Sequence, residues 1–282
     1  VQGIVAVGGI FTGSNPAYTV NELEHQIQVA EVKFIFGEPE ILDPLIKAAQ
    51  KTGLPSHRIF VFNNTPGQVV PARYKSWQQL LTYGEEDWVR FDSKEISENT
   101  PACRLFSSGT TGSPKAVQLT HYNLMAQHIG VMTADRRPYE RIYIDSMPIF
   151  NASATPRLHF QNIYEGHVTY LLRRFDLNDV LRMIQDKKAT ELIIVPAIAI
   201  IIVMEGNARK YDLSSIRSVL VGAAPLDKSI QDRLRQEVLS PGTRVVQGWG
   251  MTELCCTGTF FTWPEDDFTA SIGRPINGLE LK

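Results

Sequence analysis

Ala102-Cys-Arg-Leu-Phe-Ser-Ser-Gly-Thr-Thr-Gly-Ser-Pro-Lys-Ala-Val-Gln-Leu119 passes from one apolar stretch of strand length, through a polar glycine loop, into a second. Ala102–Ser107 and Lys115–Leu119 read as strands, and the loop lies where open α/β sheets hold their ligands. It gathers Ser107, Ser108, Thr110, Thr111 and Ser113 with Gly109, Gly112 and Lys115. Glycines let backbone N–H groups close around an anion, hydroxyls donate further hydrogen bonds, and the lysine adds a point charge. The stretch reads as a phosphate cradle. It is not a Walker A loop, because the glycine-to-lysine spacing is short and a strand, not a helix, follows Pro114. An ordinary Ser/Gly turn is the plain alternative.

Outward from this loop, strand-length apolar runs alternate with amphipathic stretches of helix length. Upstream, Thr19-Val-Asn-Glu22 is a capping box, with Leu23, Ile27 and Ala30 on one helical face. Strand Val32–Phe36, helix Glu40–Lys51 and strand Ile59–Phe62 follow, then an irregular stretch 63–100 with one short helix near Ser76–Leu81. Downstream, Thr120 caps a helix to Met132, and the basic segment Asp135-Arg-Arg-Pro138 reads as an internal boundary. Strand Arg141–Asp145, a helix through Phe160 and strand Val168–Leu172 come next. Then come helix Leu177–Lys187, strand Glu191–Val195, a helix through Met204, strand Ser218–Val221, helix Asp227–Val238 and strand Arg244–Gln247. Such alternation predicts an α/β fold of two packed, mostly parallel sheets flanked by helices. The expected subdomains are 1–137, with the phosphate loop, and 138–262, with nucleotide held at their junction.

Composition narrows the function. The 282 residues carry 28 Lys+Arg against 30 Asp+Glu, which leaves no basic footprint for nucleic acid or anionic membrane. The longest apolar run, Leu192–Met204, is too short to span a bilayer and is broken by Pro196. Three cysteines, two of them adjacent at Cys255–Cys256, build no disulfide framework and suit a reducing compartment. The six histidines form no metal-spaced cluster.

Two further loops follow apolar strands. In Gln247-Gly-Trp-Gly-Met-Thr-Glu253, Gly248 and Gly250 would let Trp249 stand exposed, suited to stacking on a purine. Thr252 offers a hydroxyl and Glu253 a hard-oxygen ligand for Mg²⁺. A core tryptophan beside a surface glutamate is the plain alternative. In Val221-Gly-Ala-Ala-Pro-Leu226, small residues allow a planar ligand to approach the backbone, although such a turn is also ordinary.

Together, and in this order, these loops resemble those of the adenylate-forming superfamily of acyl- and aryl-CoA synthetases, luciferases and peptide-synthetase adenylation domains. The first matches Ser-Ser-Gly-Thr-Thr-Gly-x-Pro-Lys-Gly, with Ala116 for the final glycine. The others resemble the family's Ala-Ala-Pro-Leu loop and its Tyr-Gly-x-Thr-Glu motif, with Trp249 for tyrosine. The segments Gly13–Leu23, Thr120-His-x-Asn123 and Ser271–Gly278 also fit, and the chain is most similar to fungal 4-coumarate–CoA ligase-like enzymes. The resemblance implies that a carboxylate attacks the α-phosphate of ATP, giving acyl-adenylate and pyrophosphate, and that the thiol of CoA then displaces AMP. It implies that Ser107 to Lys115 cradle the β- and γ-phosphates, and that Gly222, Ala223, Ala224 and Pro225 pack on adenine. Gly248, Trp249, Gly250 and Met251 would cover the other side, with Thr252 at the α-phosphate and Glu253 on Mg²⁺. Lys115, Thr252 and Glu253 are thus the implied catalytic residues.

One departure matters. Where the family has Pro-x-Phe-His, this chain has Met147-Pro-Ile-Phe-Asn151, and asparagine hydrogen-bonds but carries no charge. By the resemblance Asn151, Ala152, Pro196, Val221, Gly222 and Gly248 would line a pocket for a small aryl or fatty acid. The family's β-barrel aspartate motif and C-terminal lysine domain are not found, so 263–282 would lead into a barrel and the chain would be part of a longer enzyme, cytoplasmic or peroxisomal. Two other functions stay open: a nucleotide-binding module without catalysis, and an adenylation domain that loads a carrier-protein thiol.

Overall fold

The computed structural model describes residues 1–107 and 113–282. The chain forms two compact units, one of Gly3–Phe91 and Pro101–Gln118, the other of Val1–Gln2, Asp92–Thr100 and Leu119–Lys282.

In the first unit, helix α1 (Gln2–Ala6) precedes α2 (Val20–Val29), which opens with the expected capping box: Thr19 accepts from the backbone of Glu22, whose carboxylate accepts from Thr19 N–H at 2.7 Å. Strands β1 (Ile35–Gly37), β2 (Ile59–Val61) and β3 (Lys75–Ser76) pair in parallel. Helix α3 (Leu42–Lys51) packs on α2, and Leu23, Ile27, Leu42, Leu45, Ile59 and Val61 close the core between these helices and the sheet. Strand β1 begins later than the expected Val32. The reason is local: Glu31 turns at φ 52° and Val32 N–H returns to the Ile27 carbonyl at 2.9 Å, so the chain is still closing α2 there. Strands β4 (Pro101–Ser107) and β5 (Lys115–Thr120) form a two-stranded ladder on either side of the glycine loop.

The second unit starts with α4 (Lys94–Asn99), which the charges of the stretch 63–100 conceal in the sequence; that stretch also holds a 3₁₀ helix at Trp77–Tyr83. Helix α5 (His121–Met132) is capped by Thr120 as expected and packs on α4. A five-stranded parallel sheet follows. It consists of β6 (Ile142–Asp145), β7 (Val168–Leu171), β8 (Glu191–Ile194), β9 (Ser218–Val221) and β10 (Arg244–Gln247), in the order β10-β9-β8-β6-β7. Between β6 and β7 the helix is a π-helical turn, Arg157–Gln161, running into α6 (Asn162–Tyr164). Helices α7 (Leu177–Lys187), α8 (Pro196–Glu205) and α9 (Lys228–Arg233) supply the crossovers. All four positions of the apolar face of α7 (Leu177, Val180, Leu181 and Ile184) are buried with Ile144, Leu192, Ile194, Val219, Val221 and Val245.

The opposite end of this sheet corrects the expected boundary. Tyr143, Glu191, Ser218 and Arg244 stand side by side across β6, β8, β9 and β10, and all four are buried. The Asp135 and Arg137 side chains, in the segment read as an internal boundary, are only 7% and 6% exposed, because they pair against this row. Arg137 pairs with Asp135, and its Nε donates to Glu191 at 2.9 Å. Tyr139 donates to the same carboxylate oxygen at 2.7 Å. Burial lowers the pKa of the Arg137 guanidinium, but Glu191 and Asp135 more than reverse this and hold it above its ordinary range. Residues 119–137 therefore belong with the second unit, and the division does not fall at 137/138.

A further three-stranded antiparallel sheet lies outside the sequence expectation: β11 (Trp249–Met251), β12 (Cys256–Phe260) and β13 (Arg274–Pro275). Of the stretch 263–282, expected to lead into a barrel, Arg274–Pro275 pairs with β12 in this sheet.

Candidate functional site

Parallel register brings the carboxyl ends of the large sheet into line. Asp145, Leu171, Ile194, Val221 and Gln247 end their strands, with Ile194 opposite Val221 and Val221 opposite Gln247. The loops carrying Asn151, Pro196, Gly222 and Gly248 all leave from this edge. Backbone bonds continue just past it. Gly222 N–H donates to Ile194 at 3.1 Å, and Gly248 N–H donates to Val221 at 3.0 Å.

Gly222 approaches Gly248 so closely that a Cβ on it would lie 3.4 Å from the Gly248 carbonyl. Ala223 follows at φ 71°, a left-handed conformation that is costly for a residue with a Cβ. Ala223, Ala224 and Pro225 are exposed, so a flat ligand has access to this backbone. Their turn is held from below. The buried Gln247 amide accepts from Leu226 N–H at 2.8 Å, donates to the Leu226 carbonyl at 3.1 Å, and donates to Gln231 Oε1 at 3.0 Å. The sequence carries one signal for this role of Gln247, a polar residue ending an apolar strand.

Trp249 is 38% exposed. The six-membered ring of its indole lies against Gly258 of β12, where any Cβ would meet Cζ3 and Cε3. The glycines that flank it serve the strand pairing: a Cβ on Gly250 would run into the Cys256 carbonyl. Met251 and Glu253 are exposed, and Thr252 is half-buried. Cys255 and Cys256 close this turn with φ of 55° and 105°, and burial pushes the Cys255 thiol up to about 12, an unreactive state.

Asn151 sits half-buried where a turn becomes a helix. Its N–H donates to Pro148 at 3.1 Å, and its carbonyl accepts from Ala154 and Thr155 at 3.0 and 2.8 Å. Ala152 is buried, Pro196 is half-buried at the start of α8, and Val221 is fully buried, so Val221 belongs to the core beneath the edge.

In the first unit, Ser107 ends β4, and Ser113 and Lys115 are exposed on the far side of the loop. Ser108, Gly109, Thr110, Thr111 and Gly112 lie outside the described residues. His25 of α2 belongs to no motif, yet its ring nitrogen bonds the Pro114 carbonyl at 2.9 Å and its edge meets Phe106 at 6.5 Å. It braces both strands that carry the loop. Nothing in the sequence marks it, because residue 25 and residue 114 meet only through the fold.

As to a metal, Glu253 presents an exposed carboxylate, while no group of three ligating side chains occurs among the described residues. This donor set fits Mg²⁺, which is commonly held by one or two carboxylates together with substrate phosphates.

A family model described as AMP-binding enzyme matches residues 1–282. The acyl-CoA ligase azaF of Aspergillus niger is 43% identical over 285 residues, covering 100% of this chain and 54% of the relative. The phenylacetyl-CoA ligase epaB of Aspergillus niger is likewise 43% identical, covering 100% of this chain and 53% of the relative. In fold, a long-chain-fatty-acid-CoA ligase from Archaeoglobus fulgidus superposes with a TM-score of 0.79 at 25% identity, over 93% of this chain and 51% of that one. The chain spans about half the length of the curated relatives it matches.

Proposed function

The chain belongs to the family of AMP-binding enzymes, and on that premise we propose that it is the nucleotide- and acid-binding part of an ATP-dependent acid–CoA ligase. The observation that carries the reading is the edge of the large sheet, where Gly222–Pro225 and Gly248–Glu253 leave the neighbouring strands β9 and β10, and the Asn151 loop leaves β6 at the same edge.

Exposed backbone at Ala223 and Ala224 and the open part of the Trp249 ring supply apolar surfaces for adenine. Thr252 donates a hydrogen bond toward the α-phosphate. Ser107 to Lys115 neutralise the β- and γ-phosphates through hydroxyls, backbone N–H groups and one fixed positive charge. Glu253 would hold Mg²⁺, which supplies charge neutralisation on the phosphates when bound. Asn151 orients the acid by hydrogen bonding, with no proton to give or take near neutral pH. The thiol of CoA then attacks the acyl carbon of the adenylate, forming the thioester and releasing AMP. The phenylacetyl-CoA ligase among the relatives makes an arylacetic acid the first substrate to try.

The test is acid-dependent exchange of pyrophosphate into ATP by the full-length enzyme, followed by acyl-CoA formation. Glu253→Gln should lower the exchange rate by about 10²-fold and raise the Mg²⁺ requirement. Full exchange in that variant would remove the metal role, and exchange without acyl-CoA would point to a carrier-protein thiol.

A further inference from the structure

Asp145 is the last residue of β6, and its carboxylate ties both ends of the loop that carries Asn151. Its Oδ1 accepts from Met147 N–H at 2.8 Å, at the start of the loop, and its Oδ2 accepts from Arg157, at the end. The pair is buried, with 2% of the Asp145 side chain and 11% of Arg157 exposed. The guanidinium also lies over the ring of Tyr143, 5.5 Å from its centroid and two residues back on the same face of β6. Arg157 Nη1 is buried and has no hydrogen-bond partner among the described residues. The side chain is therefore aimed by Asp145 and Tyr143, and its own hydrogen bonding stays incomplete.

Inside this clasp the loop is cross-bonded to itself. Thr155 Oγ1 donates to Ile149 at 2.7 Å, and Asn151 makes the backbone bonds given above. Cys256 Sγ, beside the Trp249–Glu253 hairpin, donates to the Ser153 carbonyl at 3.7 Å. These bonds tie the turn together, and the ion pair links its two ends to the sheet edge. A buried ion pair is seldom retained for stability, since well-packed apolar residues of similar volume do as well or better. What it adds over an apolar contact is direction.

We propose that Asp145 and Arg157 are positioning residues for acid activation, their buried ion pair holding the Asn151 turn at the carboxyl edge of the sheet. This rests on the acid–CoA ligase reading. Neither residue touches the acid or the nucleotide; both act through the turn.

The test compares Asp145→Leu/Arg157→Met, which removes both charges, and Arg157→Lys, which keeps both charges but not the planar guanidinium, with the full-length wild type. Acid and ATP dependence of pyrophosphate release, direct acid binding by calorimetry and thermal melting are measured on each. Displacing a reacting group by about 1 Å costs on the order of 10²-fold in rate. The double variant is expected to lose about that much in kcat/KM for the acid, with acid binding weakened and the KM for ATP within about twofold, while Arg157→Lys retains part of the activity. Unchanged acid parameters in either folded variant overturn the proposal. So does a parallel fall in acid and ATP parameters, which is what general loosening produces. If the double variant does not fold, Arg157→Lys alone decides by the same split. A wild type that binds the acid but releases no pyrophosphate overturns the ligase reading instead, and calorimetry on the variants still decides the positioning role.

Discussion

Trp249 illustrates how one residue's role depends on its neighbours. Its indole packs against Gly258 while the residue stays 38% exposed, so it is neither the free-standing ring nor the core tryptophan that the bare motif allows. Stacking of a base on an aromatic side chain contributes about 1–3 kcal/mol. Trp249→Ala should therefore raise the KM for ATP by roughly tenfold, measured by pyrophosphate exchange, with a smaller effect on the KM for the acid. Ala223 shows the complementary case. Its φ of 71° is invisible in a string of small residues, because sequence shows which side chains are small and not which backbone torsion they adopt.

At the scale of elements, the glycine loop depends on a helix distant in sequence. His25 on α2 reaches the Pro114 carbonyl at 2.9 Å, just before Lys115 begins β5. A hydrogen bond of this kind contributes about 0.5–1.5 kcal/mol net. His25→Ala should thus cost about that much stability, read as a lower melting temperature, and raise the KM for ATP with little effect on the KM for the acid. The helices and strands themselves are legible where periodicity is strong. Helix α7 and strands β9 and β10 fall at the residues expected, since their apolar positions repeat without interruption. Strands β11 to β13 are not legible. They are short, interrupted by glycine and proline, and paired through contacts whose only evidence is the fold.

For the molecule as a whole, the buried row at the amino end of the large sheet governs stability. Arg137→Met would leave Asp135 and Glu191 buried without that guanidinium, a loss of about 3–5 kcal/mol on breaking such a network, read by denaturant unfolding. Acid should act on the same unit. Burial, with Arg141 nearby, lowers the His167 imidazole from 6.5 to about 4. The unfolded chain then binds more protons between those values, so stability is fully present above pH 6.5 and is lost as the pH falls through 4. Thermal melting followed across that window should show the decline, and His167→Gln should flatten it. The sequence alone determined the alternation of strand and helix, the family-like loops and the small residues at the ligand edge, because each is written in local pattern. The tertiary structure decided that the Asp135 and Arg137 side chains are drawn into a buried ion-pair row, that His25 and Gln247 brace the loops, and that Asp145 and Arg157 clasp the Asn151 turn. Those outcomes depend on burial and on partners far apart in the chain, and a charged residue looks the same in sequence whether it meets water or a buried counter-charge.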